Sequence, residues 1–448
     1  MPISNIFEIG KRSLLAYQSA IQTTSGNVAN ANNENYSRRR ADLQQSLTGF
    51  ASLGLNGDDV VRLRQRFAEQ QLWQESQRLG EYESAGRLLR QIENVFAENT
   101  ESGINNLLNQ FWNAWDDLAN DPESAFARNL LRDKARLLTS AFQRVHGDFR
   151  QLQSQIQPEV EAQIRDVNER TARLAEINSQ LMYKKNDPDL MDERDRLIGE
   201  LSETLDIKVK EKENGVVSIY TDGLLLVADN KSNDLRMEIE TESGEDQIKI
   251  YLSDSSRAVH MGSGSLKALV EIHNEKIPDY LDQLDRLAVT IAQKVNEIHM
   301  AGENLDGTTN VPFFADDVTG AANFRVDDAV LDDPSLIATR SPGEGDGSGS
   351  IAQAISDLQS EKVIGGVTIN DYYNGLISDV GSKIHEADFM EQSQQLVVQQ
   401  IKNQKEAVTG VSLDEEMTKL VQFQQAYSAA AKIVTTVNAM VDTVLNMQ

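Results

Sequence analysis

The sequence predicts a mainly α protein with β inserts: paired terminal coiled-coil helices, a long helical-bundle domain and a small antiparallel β domain. Three observations carry this. Both ends repeat apolar residues every seven positions, the interior repeats them at alternating three- and four-residue steps, and only over 206–261 does the period fall to two. Proline is scarce, 8 in 448 residues, with none between Pro2 and Pro122 or after Pro342, so long uninterrupted helices are permitted at both ends.

At the first end Phe7, Leu14, Ile21 and Val28 repeat, with Ile3, Tyr17 and Ala31 on the intervening position. At the last end Leu413, Leu420, Tyr427, Val434 and Val441 repeat, with Phe423, Ala430, Val437 and Val444 three residues on. These are a/d seams of coiled-coil type. The same ends are stripped of charge. Residues 13–33 carry no charged side chain, and 420–448 carry only Lys432 and Asp442. Residues 1–33 sum to +1 and 420–448 to zero, so the acidity of the chain, net −27, sits wholly on the interior, which carries −28. A terminal hairpin packed on its own core accounts for one such helix. Two matched neutral ends point to assembly, because stacked identical chains bring identical side chains together and like charges would meet at every step. Unassembled, such ends have little to bury and are expected to be loose.

Between the ends, 58–98 reads as a long helix with Val61, Phe67, Leu72, Leu79, Leu88, Leu89, Ile92 and Val95 on its apolar side. A second covers 104–119, a third follows Asp121-Pro122, and Pro158 marks the first turn of another. Asn186-Asp187-Pro188 is a turn before a helix over 189–205. Then Ile207 and Val209, Val217 and Ile219, Leu224 and Leu226, Met237 and Ile239, and Ile248, Ile250 and Leu252 alternate. Asn214-Gly215, Asp222-Gly223 and Ser243-Gly244 punctuate them, giving a β-meander of some five strands. Gly262-Ser263-Gly264-Ser265 returns the chain to a helix whose seam is Leu281, Leu284, Ala288, Ile291, Val295 and Ile298. Residues 302–350 are irregular, with short strands around 324–326 and 337–339, and helix dominates from Tyr372 onward.

Chemistry is poorly supported. There is no cysteine, hence no disulfide, thiolate nucleophile or Cys-based metal site. The five histidines (146, 260, 273, 299 and 385) stand apart, with no pair at i,i+4. No G-x-S-x-G elbow occurs, and Gly262-x-Gly264 reads as helix entry. The Gly343–Gly349 alternation reads as a linker, and Asn304-x-Asp306-Gly307 lacks the downstream glutamate of a calcium loop. No enzyme, cofactor or metal is expected. The acidic balance disfavours nucleic acid, and the longest apolar run, residues 224–228, is far too short to span a membrane. Lys11-Arg12 followed by Ala29-Asn30-Ala31 imitates a cleavable leader, but Gln18, Ser19, Gln22, Thr23 and Thr24 interrupt its apolar core, and no cleavage is expected.

Ser25-Gly26-Asn27-Val28-Ala29-Asn30-Ala31-Asn32 with Tyr36-Ser37-Arg38 resembles the N-terminal signature of bacterial flagellar rod, hook and hook-associated proteins. Gly410-Val411-Ser412-Leu413-Asp414-Glu415-Glu416-Met417, Phe423-Gln424-Gln425-Ala426-Tyr427 and Lys432-Ile433-Val434-Thr435-Thr436 resemble their C-terminal signature. The Phe-Gln-Gln-Ala-Tyr and Tyr-Ser-Arg wording is most similar to the hook-associated members at the hook–filament junction. Asn33-Glu34-Asn35 stands where the family usually has Thr-Pro-Gly, and the chain is short for the family. That shortness suggests an outer surface domain reduced or missing.

The resemblance implies a structural role. Residues 1–50 with 405–448 would form the inner-tube coiled coil, 51–205 with 262–404 a helical domain with short strands, and 206–261 the outer β domain. It implies self-association in a ring or tube, seating on the hook protein, and templating of the second junction protein, hook-associated protein 3, and the filament. It also implies export by the flagellar type III pathway to the extracellular flagellum. An export chaperone on the C-terminal helix would touch Leu420, Phe423, Tyr427, Val434 and Val437. The seams and signatures together nominate Phe7, Leu14, Tyr17, Ile21, Asn27, Val28, Asn30, Tyr36, Leu413, Met417, Leu420, Phe423, Tyr427, Val434, Val437, Val441 and Val444 for assembly. The competing readings are a hook or rod polymer subunit and a secreted helical effector or translocator.

Overall fold

The chain begins and ends in helix, as the heptads require. The computed structural model describes residues 3–33, 35–45, 55–56, 60–96, 103–242 and 244–446. Helix α1 (Ile3–Ala29) is followed by β1 (Arg39–Ala41), β2 (Gln44–Gln45), β3 (Leu55–Asn56) and β4 (Val60–Arg62). Strands β1 and β4 pair antiparallel, as do β2 and β3. The helix expected over 58–98 is thus corrected. It is α2 (Arg66–Phe96), and Val61 lies in a strand opposite Arg40; residues 57–59 and 97–98 fall outside the described set. Extension lets Arg62 and Arg64, two residues apart and so on one face, reach acidic partners on distant elements. Phe67, expected in the core, is 72% exposed.

Helix α3 (Ile104–Asn120) matches its expected bounds, and α4 (Ala125–Tyr183) corrects the break at Pro158. It is one helix of 59 residues, about 90 Å long. Its buried row Phe149, Leu152, Ile156, Val160, Ile164 and Val167 passes the proline in register. Packing on both sides offsets the single backbone hydrogen bond that proline forfeits. Helix α5 (Pro188–Thr204) starts on Asp187, whose carboxylate accepts from the Asp189 and Leu190 amides.

Six strands follow where some five were expected: β5 (Lys208–Glu211), β6 (Val217–Thr221), β7 (Leu224–Ala228), β8 (Lys231–Ser232), β9 (Leu235–Glu242) and β10 (Glu245–Leu252). They form a four-stranded sheet, β5-β6-β7-β8, and a separate β9–β10 hairpin, rather than one meander. Three asparagines tie the strands to the helices beside them, one of them at the division. Asn168 of α4 donates to the Leu235 carbonyl (2.8 Å) and accepts from its amide (2.7 Å), occupying the start of β9. Asn178 binds Val217 in the same two-handed way, and Asn274 binds Ile248. Each carboxamide stands in for a neighbouring strand, satisfying a backbone pair that would otherwise be buried without a partner.

Helix α6 (Ser265–Glu271) passes through a π-helical turn (Ile272–Lys276), which carries Asn274, into α7 (Ile277–His299). Gly264, at φ +97°, enters α6 against the Thr204 carbonyl, where a Cβ would sit 2.5 Å from the oxygen. The strands expected near 324–326 and 337–339 are corrected. The first contributes a single bridge, Phe314 with Val326, and the second is followed by one between Glu303 and Arg340. Short 3₁₀ turns and α8 (Asp328–Asp332) fill the rest before α9 (Ser350–Asp357), α10 (Ile369–Thr409) and α11 (Leu413–Leu445). The glycine-rich run is no free linker. Glu344 accepts from the Ser348 and Ser350 hydroxyls, and Gly349 abuts the Ala119 carbonyl. Asn304 spends its side chain closing its own turn on the Asp306 and Thr308 amides.

The core joins α2, α3, α4, α7 and α10. Phe111, Trp112, Trp115, Phe313 and Phe314 form its aromatic centre, with His299 edge-on to Phe313. His299 is fully engaged: Nδ1 donates to the Val311 carbonyl (2.7 Å), and Nε2 accepts from the Ala338 amide (2.9 Å). Burial, with Arg128 nearby, lowers its pKa from 6.5 to about 4. Between those values the unfolded chain binds a proton that the folded chain does not. The stability this ring contributes is therefore complete above pH 6.5 and is lost as pH falls toward 4, on the order of 3 kcal/mol. Thermal unfolding followed across that range should show the decline, and His299→Gln should flatten it.

Candidate assembly interface

The terminal helices pack antiparallel. Gly10 faces Val434, Tyr17 lies 6.5 Å from Phe423 ring to ring, and Asn27 meets Glu416. The buried residues of the pair are Gly10, Ala16, Ala20, Thr24 and Asn27 on α1, and Glu416, Ala430 and Val437 on α11, most of them small or polar. A Cβ on Gly10 would come within 2.8 Å of a Val434 methyl. The apolar positions nominated on α1, Phe7, Leu14, Tyr17, Ile21 and Val28, flank this line and are half-buried. On α11, Val437 is buried at 3% exposure, while Leu420, Phe423 and Val434 are half-buried. Leu413, Met417, Tyr427 and Val441 remain exposed, and the Val444 side chain lies outside the described set. The structure thus leaves four of the nominated residues outward, Leu413, Met417, Tyr427 and Val441, and buries or half-buries the others whose side chains are described.

Where the pair meets the helical body, the signature residues make a polar joint. Asn27 Nδ2 donates to Glu416 Oε2 (2.7 Å) and to the Arg39 carbonyl (2.8 Å). Its Oδ1 accepts from the Tyr36 hydroxyl (2.8 Å) and the Arg39 amide (3.0 Å). Arg38 holds the other Glu416 oxygen through Nε and Nη2, at 2.9 and 2.6 Å, and reaches Glu415 at 2.6 Å. Glu416 is 2% exposed, so its charge is carried by these donors rather than by water. The Arg38 backbone adds a tie to each neighbour: its amide donates to the Thr409 carbonyl and its carbonyl accepts from Leu63. Asn30 serves α1 alone, its side chain closing on the Gly26 carbonyl at 2.9 Å.

From the joint an ionic lattice runs into the body. Arg39, stacked on the Tyr36 ring, bonds Asp189 (2.6 Å) and Asp192 (3.0 Å) of α5. Arg62 forms ion pairs with Asp192 and Asp195, and Arg64 hydrogen-bonds Glu69 and Glu211. Buried Arg194 bonds Asp195, Glu211 and the Gly215 carbonyl. The two aspartates answer differently. Burial pushes the Asp192 carboxyl up despite Arg62 and Arg39. At Asp195, burial is outweighed by Arg194, Arg62 and Arg64, which hold its pKa below the ordinary value. A cleft of about 740 Å³ opens beside the lattice, with Asn33, Tyr36, Lys402, Lys405 and Gly410 among its lining. Among the described residues no group of His, Asp and Glu is placed to hold a metal, and no helix is long and apolar enough to cross a membrane.

The joint lay beyond sequence reasoning except at Asn27 and Tyr36, which the motifs nominated; Asn30 and Met417, nominated with them, take no part in it. Arg38 and Glu416 stand inside the motifs without a role of their own, and Arg39, Arg62, Arg64, Asp192 and Asp195 carry no signal beyond being charges. Replacing Glu416 with alanine should leave Asn27 and Arg38 short of a buried partner, cost about 3 kcal/mol, and expose α11 to protease before the body unfolds. Gly26→Ala should do the opposite. A Cβ there meets nothing nearer than the Tyr36 hydroxyl at 3.8 Å, so α1 should gain about 0.5–1 kcal/mol, read as a higher melting temperature.

Residues 89–314 match the family model of the flagellar hook-associated protein FlgK helical domain, and 407–447 match that of the flagellar basal body rod FlgEFG protein C-terminal region. Flagellar hook-associated protein 1 of Bacillus subtilis (strain 168) is 29% identical over 494 aligned positions, spanning 98% of this chain and 97% of that one. The Salmonella typhimurium protein of the same name is 23% identical over the whole of both chains. Its alignment runs to 559 positions against 448 residues here, so more than a hundred fall opposite gaps in this chain. The flagellar hook junction protein FlgK from Burkholderia pseudomallei shares the fold, with a TM-score of 0.68 at 14% identity over 76% of this chain and all of the other. The helical-domain model alone takes in half of the residues, and the chain belongs to the flagellar hook-associated protein FlgK family.

Proposed function

We propose that this protein is the adapter at the junction of hook and filament: a structural component of the bacterial flagellum that assembles on the hook and templates the next junction protein and the filament. The observation that carries this most directly is the joint, in which the two signature segments of the family bind each other through Asn27, Arg38 and Glu416. A joint of that kind fixes the angle between a neutral terminal pair and a charged body, which a subunit of a tube needs if its inner and outer parts are to repeat in register. In this reading 1–50 with 405–448 lines the channel, 51–205 with 262–404 forms the shell around it, and 206–261 faces outward. The shortness of the chain against its Salmonella relative agrees with a reduced outer part.

Export through the flagellar type III pathway, with a chaperone on α11, belongs to the same proposal. Phe423 and Val437 face α1 in the folded chain, so a chaperone taking Leu420, Phe423, Tyr427, Val434 and Val437 would compete with α1 for one stripe. Val437→Asp should unpair the terminal helices and abolish assembly while the helical body keeps its circular dichroism and melting transition; normal flagella in that mutant would remove the seam from the account. The location is tested by antibody labelling of isolated flagella under the electron microscope. A narrow band between hook and filament is the expected result. Label along the entire hook or rod would make the chain a polymer subunit, and label only in the medium would make it a secreted effector.

A further inference from the structure

Helix α10 is charged on the wrong side. Its buried row, including Val380, Ile384, Ala387, Val398 and Ile401, packs on α2, where Arg90 also bonds Asp388 (2.5 Å) and Gln394 donates to the Glu75 carbonyl (3.0 Å). Opposite that row lies an outward line of Phe389, Ser393, Leu396, Gln400, Asn403 and Ala407, all exposed, with Phe389 at 69% and Leu396 at 73%. It runs about 27 Å along the helix, and every charged residue over 389–408 (Glu391, Lys402, Lys405 and Glu406) falls roughly 100° or more away round the helix. Residues 392–401 have no charge at all. A surface helix ordinarily turns charge to solvent, and this chain has 25% charged residues with which to do so.

We propose that this outward line of α10 is a contact between copies of this chain, a statement that rests on the assembly reading above. The charge pattern selects the occupant. A basic partner would be drawn to carboxylates, which the chain has in excess and withholds here. A second copy brings its own −27, and a line without charge lets the two close there without setting carboxylate against carboxylate. The line by itself covers less than the roughly 800 Å² per partner of a stable pair. The contact therefore forms when other contacts have already aligned the copies.

The test places the photo-reactive residue p-benzoylphenylalanine at position 396 of the full chain in flagellated cells, followed by irradiation of isolated flagella. An adduct of twice the chain mass, whose crosslinked peptide belongs to this chain, is expected. Adducts to other flagellar proteins alone, or none, would overturn the contact while a labelled junction band kept the functional reading; absence of the chain from flagella would overturn both. Leu396→Glu should reduce the chain found at the junction by about tenfold or more, and Leu396→Gln, which keeps the line neutral, should retain it. Both should match the parent in helix content and melting, since the side chain is mostly in water. Equal junction occupancy for Glu and Gln would overturn the proposal.

Discussion

Glu416 is a buried carboxylate at the meeting point of both ends of the chain and the helical body, and the geometry of the molecule hangs on how its charge is held. One oxygen takes the Asn27 amide and the other takes the Arg38 guanidinium. Those two residues come from the end of α1 and the segment after it, while the carboxylate opens α11, 389 positions from Asn27. A charge so enclosed tolerates little displacement, because any lengthening leaves it neither bonded nor hydrated. The two ends of the chain are thereby locked to each other, and the Arg38 carbonyl with the Arg39 side chain carries the tie on to Leu63, Asp189 and Asp192 of the body. Apolar contact along the α1–α11 seam could not do this alone, since it is thin and its centre is made of glycine, alanine and threonine.

The same principle recurs in the body in uncharged form. Asn168, Asn178 and Asn274 each close on both backbone groups of one strand residue, and Asn296 does so at Phe313 and Phe314. A helix face offers only side chains to a sheet edge, and an edge buried against apolar residues would strand its amides and carbonyls. Carboxamides carry a donor and an acceptor in one plane and so complete the ladder. The small β units thus add Val217, Ile219, Leu226, Leu235, Ile248 and Ile250 to the core shared with the long helices while their edge amides and carbonyls stay paired.

What was legible in the sequence followed from periodicity. The heptads, the seam of α7 and the alternation over 207–252 report burial on one face, and burial on one face is what a repeat encodes. Three features escaped for stated reasons. Apolarity marked Phe7, Leu14 and Ile21 as the α1 seam, whereas the fully buried line is Gly10, Ala20 and Thr24, with Gly10 against Val434, because small side chains let a helix sit close to its neighbour. Pro158 looked like a boundary, since a local rule cannot weigh the packing on either side. The joint was visible only as motifs, because Arg39 with Asp192 and Arg62 with Asp195 are pairs across more than 130 residues, and nothing local in the chain distinguishes them from its other charges.

Charge placement then ties fold to assembly. A chain at −27 is kept apart from its own copies in dilute solution. That repulsion is not a uniform obstacle: it penalises every approach in which acidic surfaces face each other and spares those in which neutral ones do. Two kinds of neutral surface exist here, the terminal pair and the outward line of α10, and both lie on helices that end at the joint. An encounter between copies at the wrong angle brings carboxylates together, and one at the right angle brings glutamine, alanine and leucine together. Specificity of this sort needs no strong attraction, since it arises from the cost of the alternatives. It does require that the neutral surfaces be held at a fixed mutual angle. That is the task left to the buried carboxylate of Glu416 and the donors around it.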